Sequence, residues 1–171
     1  AVDMGPAHLG WQDVPLATAM DTMAVDLGPP APVPAICHSI GNPHAVLFVD
    51  DAEALDVAHI GPILEQHPLF PDRANISFVH QLGVNRFRMR VWERGGGLTL
   101  ACGSGASAVG VAAYRAGLSG RVNEIVMDGG MVVIDWQDDG TPSGRVVMQG
   151  PVAYVCRGRL ADELSFAVKA S

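Results

Sequence analysis

Apolar and polar residues alternate along much of the chain in the way that β-strands require. Residues 87–92 are the clearest case, with three apolar side chains on one face and two arginines on the other. Two further alternating runs, 122–127 and 131–136, flank the turn Asp128-Gly129-Gly130, and the Asp-Gly pair predicts a hairpin. Other apolar runs predict strands at 22–26, 35–40, 45–49, 76–79, 145–149 and 152–157.

Two stretches have helical spacing instead. Residues 52–66 predict one or two short surface helices, broken at Gly61-Pro62 because proline lacks the amide proton that a helix interior needs. Ser104–Ala116 has small or apolar residues on every face and is followed by Gly117, so this helix must be buried all round. Many short strands and one buried helix predict an α+β fold, in which a curled sheet wraps around a central helix.

The length and net charge of the chain limit its domain organisation and its possible partners. The 171 residues predict a single domain at 1–160, followed by a weakly patterned tail at 161–171. A net charge of -7, without a basic run, argues against nucleic acid as a partner. The sequence has no membrane-spanning apolar stretch and no signal peptide, so we expect a cytoplasmic protein.

The three cysteines do not have the spacing of a disulfide framework or of a zinc site. Their number is odd and no CxxC pair is present, which argues against disulfides and against a zinc site. The histidines show no metal-ligand spacing either, so no metal is expected. Cys37 and Cys156 lie in apolar strand-like runs and are predicted to be core or strand residues.

Cys102 stands directly before the buried helix, after a glycine-rich turn that follows Glu93-Arg94. The positive end of the helix dipole predicts a lowered pKa for its thiol. The first helical amides, from Gly103 to Gly105, have no partner within the helix and can bind an anion. A thiolate beside a carboxylate pocket suits removal of a proton alpha to that carboxylate. The turn Gly41-Asn42-Pro43-His44 is a second candidate, because Asn42 and His44 can point polar groups into a cleft.

Taken together, these segments resemble the second half of the diaminopimelate epimerases. The Glu-Arg-Gly block joined to Ala-Cys-Gly-Ser-Gly is highly specific, and the order and spacing match over residues 2–158. The other matching segments are Gly41–Val46, Asn75–Val79, Val147–Pro151 and Val155–Gly158. The resemblance implies a mixed sheet curled into a barrel around a central helix, as one half of a two-barrel enzyme. It also implies interconversion of LL- and meso-diaminopimelate without a cofactor such as pyridoxal phosphate, on the lysine and peptidoglycan route.

The resemblance also implies roles for individual residues. Cys102 matches one of two catalytic cysteines that face the alpha carbon from opposite sides, and His44 and Glu93 match residues that modulate the thiols. Ser104 stands where the family often has Thr, and Leu98 stands where many members have Glu. The implied substrate-binding residues are Asn42, Asn75, Glu93, Arg94, Gly103 and Ser104.

The family's other catalytic cysteine, in a Cys-Gly-Asn-Gly-like segment of an N-terminal domain, has no match in this chain. We therefore expect a fragment whose N-terminal domain is missing, which is inactive alone and whose site residues lie at an open surface. Such a surface would allow for a homodimer.

Three other interpretations stay open. Gly103-Ser104-Gly105-Ala106-Ser107-Ala108, with Glu124 further on, is a weak match to a nucleotide-binding pattern. The chain could instead be a binding domain of the same fold without catalysis. It could also be another amino-acid racemase or isomerase of the same superfamily.

Overall fold

The computed structural model describes residues 1–159, so the tail predicted at 161–171 lies outside the described residues. Within residues 1–159, no helix is long and apolar enough to cross a membrane. The elements in chain order are β1 Val2–Gly5, β2 Ile36–Ser39, β3 Pro43–Phe48, α1 Val57–Glu65, β4 Asn75–Gly83, β5 Arg86–Glu93, β6 Gly97–Thr99, α2 Gly103–Arg115, β7 Val122–Met127, β8 Gly130–Gln137 and β9 Arg145–Gln149.

The strands form one mixed sheet in the order β1-β9-β8-β7-β5-β4-β3-β2, with β6 paired to β5. Two neighbouring pairs are parallel, β3 with β4 and β5 with β7, and all the others are antiparallel. A parallel pair needs a crossover, and the two helices supply one each: α1 lies between β3 and β4, and α2 lies between β5 and β7. The predicted α+β fold, a curled mixed sheet around a central helix, is confirmed.

The sheet has an apolar core on each face. On β5, Phe87, Met89 and Val91 join the cluster that surrounds α2, whereas Trp92 packs against the cluster beneath α1. This division is the one that the alternation along 87–92 predicts. Residues 105–113 of α2 are all buried, so the prediction of a helix buried all round is confirmed.

Helix α1 continues through the Gly61-Pro62 pair, so the predicted break there is wrong. Pro62 removes one hydrogen bond, to the carbonyl of Ala58, but the helix is held by packing. Gly61 lies so close to the indole of Trp92 that a Cβ atom at Gly61 would be 2.6 Å from the Cγ atom of Trp92. Tertiary contact here outweighs the local preference of the sequence.

Two predicted strands are absent from the described residues. The segment 22–26 contributes only a single bridge, between Val25 and Ala35, and not a strand. The segment 152–157 has no strand partner within residues 1–159 and is exposed, with Val152 98% exposed. An alternating pattern forms a strand only where a neighbouring edge accepts its hydrogen bonds. Cys156, predicted to be a core or strand residue, is consequently exposed.

Candidate active site

Cys102 is the N-cap residue of α2. Its backbone is extended, with φ -143° and ψ 108°, and its sulfur accepts a hydrogen bond of 3.3 Å from the amide of Gly105. Gly105 allows this approach, because a Cβ atom there would lie 3.2 Å from the sulfur. The amide of Ala106 donates to the Cys102 carbonyl at 2.8 Å, which closes the first turn. The thiol is therefore fixed at the positive end of the buried helix.

The environment of Cys102 raises the pKa of its thiol, contrary to the prediction from the helix dipole. Burial has the largest effect, because it disfavours the charged thiolate, and the nearby Glu93 carboxylate acts in the same direction. Hydrogen bonds from Ser104 and from the Gly105 amide lower the pKa, but they do not offset burial. In this chain the protonated thiol is the resting form at neutral pH.

A line of polar side chains connects Cys102 to the second candidate turn. The Ser104 hydroxyl oxygen is 3.6 Å from the Cys102 sulfur, and the side-chain nitrogen of Asn42 donates to that oxygen at 3.3 Å. The carboxamide oxygen of Asn42 lies 2.9 Å from Nε2 of His44. Asn42 and His44 thus contact the start of α2 through Ser104, although 62 residues separate Asn42 from Ser104 in the sequence.

His44 and Asn75 are neighbours in the parallel pair β3 and β4, where their Cα atoms are in register. His44 is fully buried, and burial, with a smaller effect from the Arg94 cation, lowers its pKa to about 3. Asn75 donates to the Pro43 carbonyl at 2.9 Å and accepts from the Arg94 amide at 2.9 Å. Asn75 therefore connects the start of β3 to the end of β5 through these two hydrogen bonds.

Glu93 and Arg94 lie at the turn between β5 and β6. The Thr99 hydroxyl donates to the Glu93 carboxylate, and the Gly96 amide donates to the Glu93 carbonyl at 3.0 Å. Arg94 donates through its guanidinium to the Asp72 carbonyl at 3.1 Å. Glu93 is half-buried and Arg94 is exposed, so this turn offers charged groups at the rim of the site.

The predicted open surface is only partly present. Cys102 is 6% exposed, His44 is fully buried and Asn75 is 3% exposed, so the expectation that these three lie open is wrong. The reason is that β3, β4 and the first turn of α2 pack against one another. Of the predicted site residues, those that do reach the surface are Asn42, Glu93, Arg94, Gly103 and Ser104.

Residues 1–159 contain no cluster of three His, Cys, Asp or Glu side chains that could hold a metal ion. The amides of Gly103 and Ser104 donate no hydrogen bond to any group within the same residues. These two amides, the Cys102 sulfur and the rim charges form an arrangement that can bind a carboxylate and exchange a proton beside it.

Sequence reasoning missed Glu65, Thr99 and Met127. Met127 lies under the site, with its sulfur 3.4 Å from the Cys102 amide, and Glu65 is a buried carboxylate beside the Glu93-Arg94 turn. A signal for Glu65 was available: it lies four residues after Gly61, on the face of α1 that packs inward. A charge at an inward helical position indicates a specific polar partner.

Comparison with known proteins places this chain in a family. A model of the family described as Diaminopimelate epimerase matches residues 36–155, which contain every site residue named above. The chain belongs to the diaminopimelate epimerase family. A diaminopimelate epimerase of Rhodospirillum centenum is 53% identical over 163 residues, which are 95% of this chain and 55% of the relative. One from Acidiphilium cryptum is 54% identical over 160 residues, 93% of this chain and 56% of the relative.

The chain spans about 55% of the length of these two epimerases. Among solved structures, a phenazine biosynthesis protein of Bacillus anthracis superposes with a TM-score of 0.44 and 24% identity, over 63% of this chain and 33% of that chain.

Proposed function

We propose that this chain supplies one cysteine and half of the substrate site of a diaminopimelate epimerase, which interconverts LL- and meso-2,6-diaminopimelate. The observation that carries the proposal is the position of Cys102 within the part of the chain that matches the family. Its sulfur caps a buried helix beside two amides that donate no hydrogen bond within residues 1–159. The names of the longer relatives supply the substrate.

The reaction needs one base and one acid on opposite faces of the alpha carbon. As a thiolate, Cys102 takes the alpha proton and becomes a thiol, while the electron pair of the broken C–H bond delocalises into the substrate carboxylate. A second acid then donates a proton from the other face. In the reverse direction Cys102 is the donor, a role that suits its raised pKa and its protonated resting form.

The substrate carboxylate is bound, in this proposal, by the amides of Gly103 and Ser104 at the start of α2. These donors lie where negative charge builds on the carboxylate oxygens as the proton leaves. Asn42 and Asn75 support the pocket from the side, through their bonds to Ser104 and Arg94. Glu93, which is half-buried, and Arg94, which is exposed, lie at the rim and in this proposal bind polar groups of the substrate.

The second acid is, in this proposal, a cysteine of another domain, because neither other cysteine of this chain is placed to serve. Cys37 is fully buried in β2 with its pKa raised to about 12 by burial, and Cys156 is exposed outside the sheet. A single base can exchange a proton with solvent but cannot deliver one to the opposite face. The 171-residue chain alone is therefore proposed to be inactive.

The test combines this chain with the N-terminal half of the Rhodospirillum centenum relative, by co-expression. Conversion of LL- to meso-diaminopimelate in D₂O is measured, together with deuterium incorporation at the inverted carbon. The pair should be active, and this chain alone should not. Cys102→Ala in the pair should abolish inversion, whereas the matched variant Cys37→Ala should keep it. Turnover by this chain alone, or activity retained in Cys102→Ala, would refute the proposal.

A further inference from the structure

Glu65, the last residue of α1, is a carboxylate that is only 4% exposed. It lies one helical turn after Gly61, on the face of α1 that contacts Trp92. Burial of a carboxylate is costly unless its oxygens are hydrogen-bonded or paired with a cation. The partners of Glu65 therefore show what its position achieves.

Both oxygens of Glu65 accept hydrogen bonds from the end of β5. Oε2 accepts from the indole Nε1 of Trp92 at 2.7 Å, and Oε1 accepts from the backbone amide of Gly95 at 3.0 Å. Arg73 lies 3.6 Å from Oε1 and balances the negative charge from the solvent side. Trp92 and Gly95 immediately flank Glu93 and Arg94, so one carboxylate holds the segment at both ends.

The remaining amides of the turn are also occupied. Asn75 accepts from the Arg94 amide at 2.9 Å, and the Glu93 carbonyl accepts from the Gly96 amide at 3.0 Å. The turn is thus fastened to α1 through Glu65 and to β4 through Asn75. Of these two residues, only Glu65 accepts hydrogen bonds from residues on both sides of Glu93.

We propose that Glu65 is a positioning residue, which fixes the place of the Glu93-Arg94 segment at the rim of the site through its hydrogen bonds to the residues on either side. The naming of that segment as part of a catalytic site rests on the function proposed above. The bonds themselves do not, because they lie within this chain. Glu65 touches neither Cys102 nor the carboxylate-binding amides, so its action passes through Glu93.

A purely structural role for Glu65 would affect stability alone, whereas a positioning role also changes the pKa of the Cys102 thiol. Glu93 raises that pKa. If the segment moves when Glu65 is replaced, the influence of Glu93 weakens and the pKa falls. The pKa is measured from the pH dependence of Cys102 alkylation, with each cysteine followed by peptide mass mapping.

The main variant is Glu65→Gln, which keeps the shape of the side chain but offers one acceptor oxygen to two donors. We expect the Cys102 pKa to fall, at most by as much as in Glu93→Gln, because Glu65→Gln keeps the Glu93 carboxylate and only loosens its position. The alkylation rate at pH 7 should then rise, up to about threefold for a fall of about one unit, because a less basic thiolate is also less nucleophilic. Glu93→Gln should produce a similar fall, and the double variant should match Glu93→Gln alone, since both act through one carboxylate.

Glu124→Gln is the matched control, because Glu124 is an exposed carboxylate that also pairs with an arginine, Arg86, far from the turn. The pKa of Cys102 in Glu124→Gln should equal the pKa of Cys102 in the unmodified chain. Glu65→Asp, which restores a carboxylate, should recover part of the shift. An unchanged pKa in folded Glu65→Gln, or a shift that adds fully to that of Glu93→Gln, would overturn the proposal.

If Glu65→Gln does not fold, Trp92→Phe decides the question. It removes one of the two anchoring bonds and keeps an aromatic ring against Gly61. The Cys102 pKa should fall in the same direction, by less, and no fall would refute the positioning role. None of these measurements uses substrate, so their outcome is independent of whether the paired halves catalyse epimerisation.

Discussion

The Nε2 atom of His44 lies 2.9 Å from the carboxamide oxygen of Asn42, and since that oxygen can only accept, His44 is the donor. Nε2 therefore carries a proton, and since burial lowers the pKa of His44 to about 3, the imidazole is neutral at pH 7 and is protonated on Nε2 alone. The Asn42 nitrogen in turn donates to the Ser104 hydroxyl. When Cys102 is a thiolate, that hydroxyl can donate its proton to the sulfur, which then accepts hydrogen bonds from both Ser104 and the Gly105 amide.

Replacement of Ser104 should consequently raise the pKa of Cys102 still further. Ser104→Ala removes one of the two donors that stabilise the thiolate, whereas Ser104→Thr keeps the hydroxyl. We expect the pH midpoint of Cys102 alkylation to move upward in Ser104→Ala and to stay in place in Ser104→Thr. A midpoint that falls in Ser104→Ala would mean that the hydroxyl accepts from the thiol instead.

The three cysteines should alkylate in the order Cys156, Cys102, Cys37. Cys156 is exposed, Cys102 is 6% exposed with a raised pKa, and Cys37 is fully buried with a pKa of about 12. Thiolate fraction and access together set the rate. Brief iodoacetamide treatment followed by mass mapping measures the order. Labelling of Cys37 before Cys102 would contradict the packing described for β2.

Stability should decline as the pH falls below about 6.5, the unperturbed pKa of histidine. Burial, as the largest cause, lowers the pKa of His44 to about 3 and that of His38 well below its usual value. Below pH 6.5 the unfolded chain binds these protons and the folded chain does not, until the folded pKa is reached. Each histidine then removes about 1.4 kcal/mol of unfolding free energy per pH unit.

Urea denaturation at pH 7.5, 6.0 and 5.0 checks this expectation. The exposed residue His59 provides the control, since His59→Asn should leave the slope unchanged. A stability that stays level between pH 7.5 and 5.0 would contradict the neutral, buried state of His38 and His44. Both ring nitrogens of His38 are buried, and burial outweighs the contact with the Ala108 backbone that favours its charged form.

Gly110→Ala should destabilise the chain, although alanine favours helices over glycine by about 1 kcal/mol. A Cβ atom at position 110 would lie 2.7 Å from Cγ2 of Ile134, a branched side chain of the buried core. Overpacking of this kind costs about 1–3 kcal/mol. Gly83→Ala is the control, since a Cβ atom there meets nothing within 4 Å. Thermal denaturation of both variants makes the comparison, and a stabilised Gly110→Ala would show that β8 moves aside.

The sequence predicts the elements whose patterns are complete within themselves. The strand at 87–92, the hairpin around Asp128-Gly129-Gly130 and the buried helix all carry their own periodicity, and the structure contains each of them. The segment 152–157 has an equally good pattern but no accepting edge within residues 1–159. The Gly61-Pro62 pair predicts a helix break, yet α1 is continuous there because Gly61 packs against Trp92.

The position of the candidate site could be predicted from the sequence, but the direction of the pKa shift of its thiol could not. The glycine-rich turn and the apolar helix locate Cys102 at a helix start, which the structure confirms. How deeply the thiol is buried depends on residues distant in the sequence, such as Met127 of β7, whose sulfur lies 3.4 Å from the Cys102 amide, and no local pattern reports that. The predicted direction of the pKa shift of Cys102 was for this reason wrong. The contact of Asn42 with Ser104 depends on the packing of the first turn of α2 against the turn before β3, which no local pattern reports either.

The cap of α2 shows a compromise between rigidity and reactivity. Oxygen-bearing residues such as serine and asparagine are the preferred caps, since they accept stronger hydrogen bonds from the first-turn amides. Position 102 instead carries a sulfur that accepts weakly from Gly105 at 3.3 Å. An exchange of sulfur for oxygen would secure the helix and remove the only ionisable atom at its start, because a hydroxyl does not release its proton near neutral pH. Natural proteins often give up stability in this way where function depends on the less stable group.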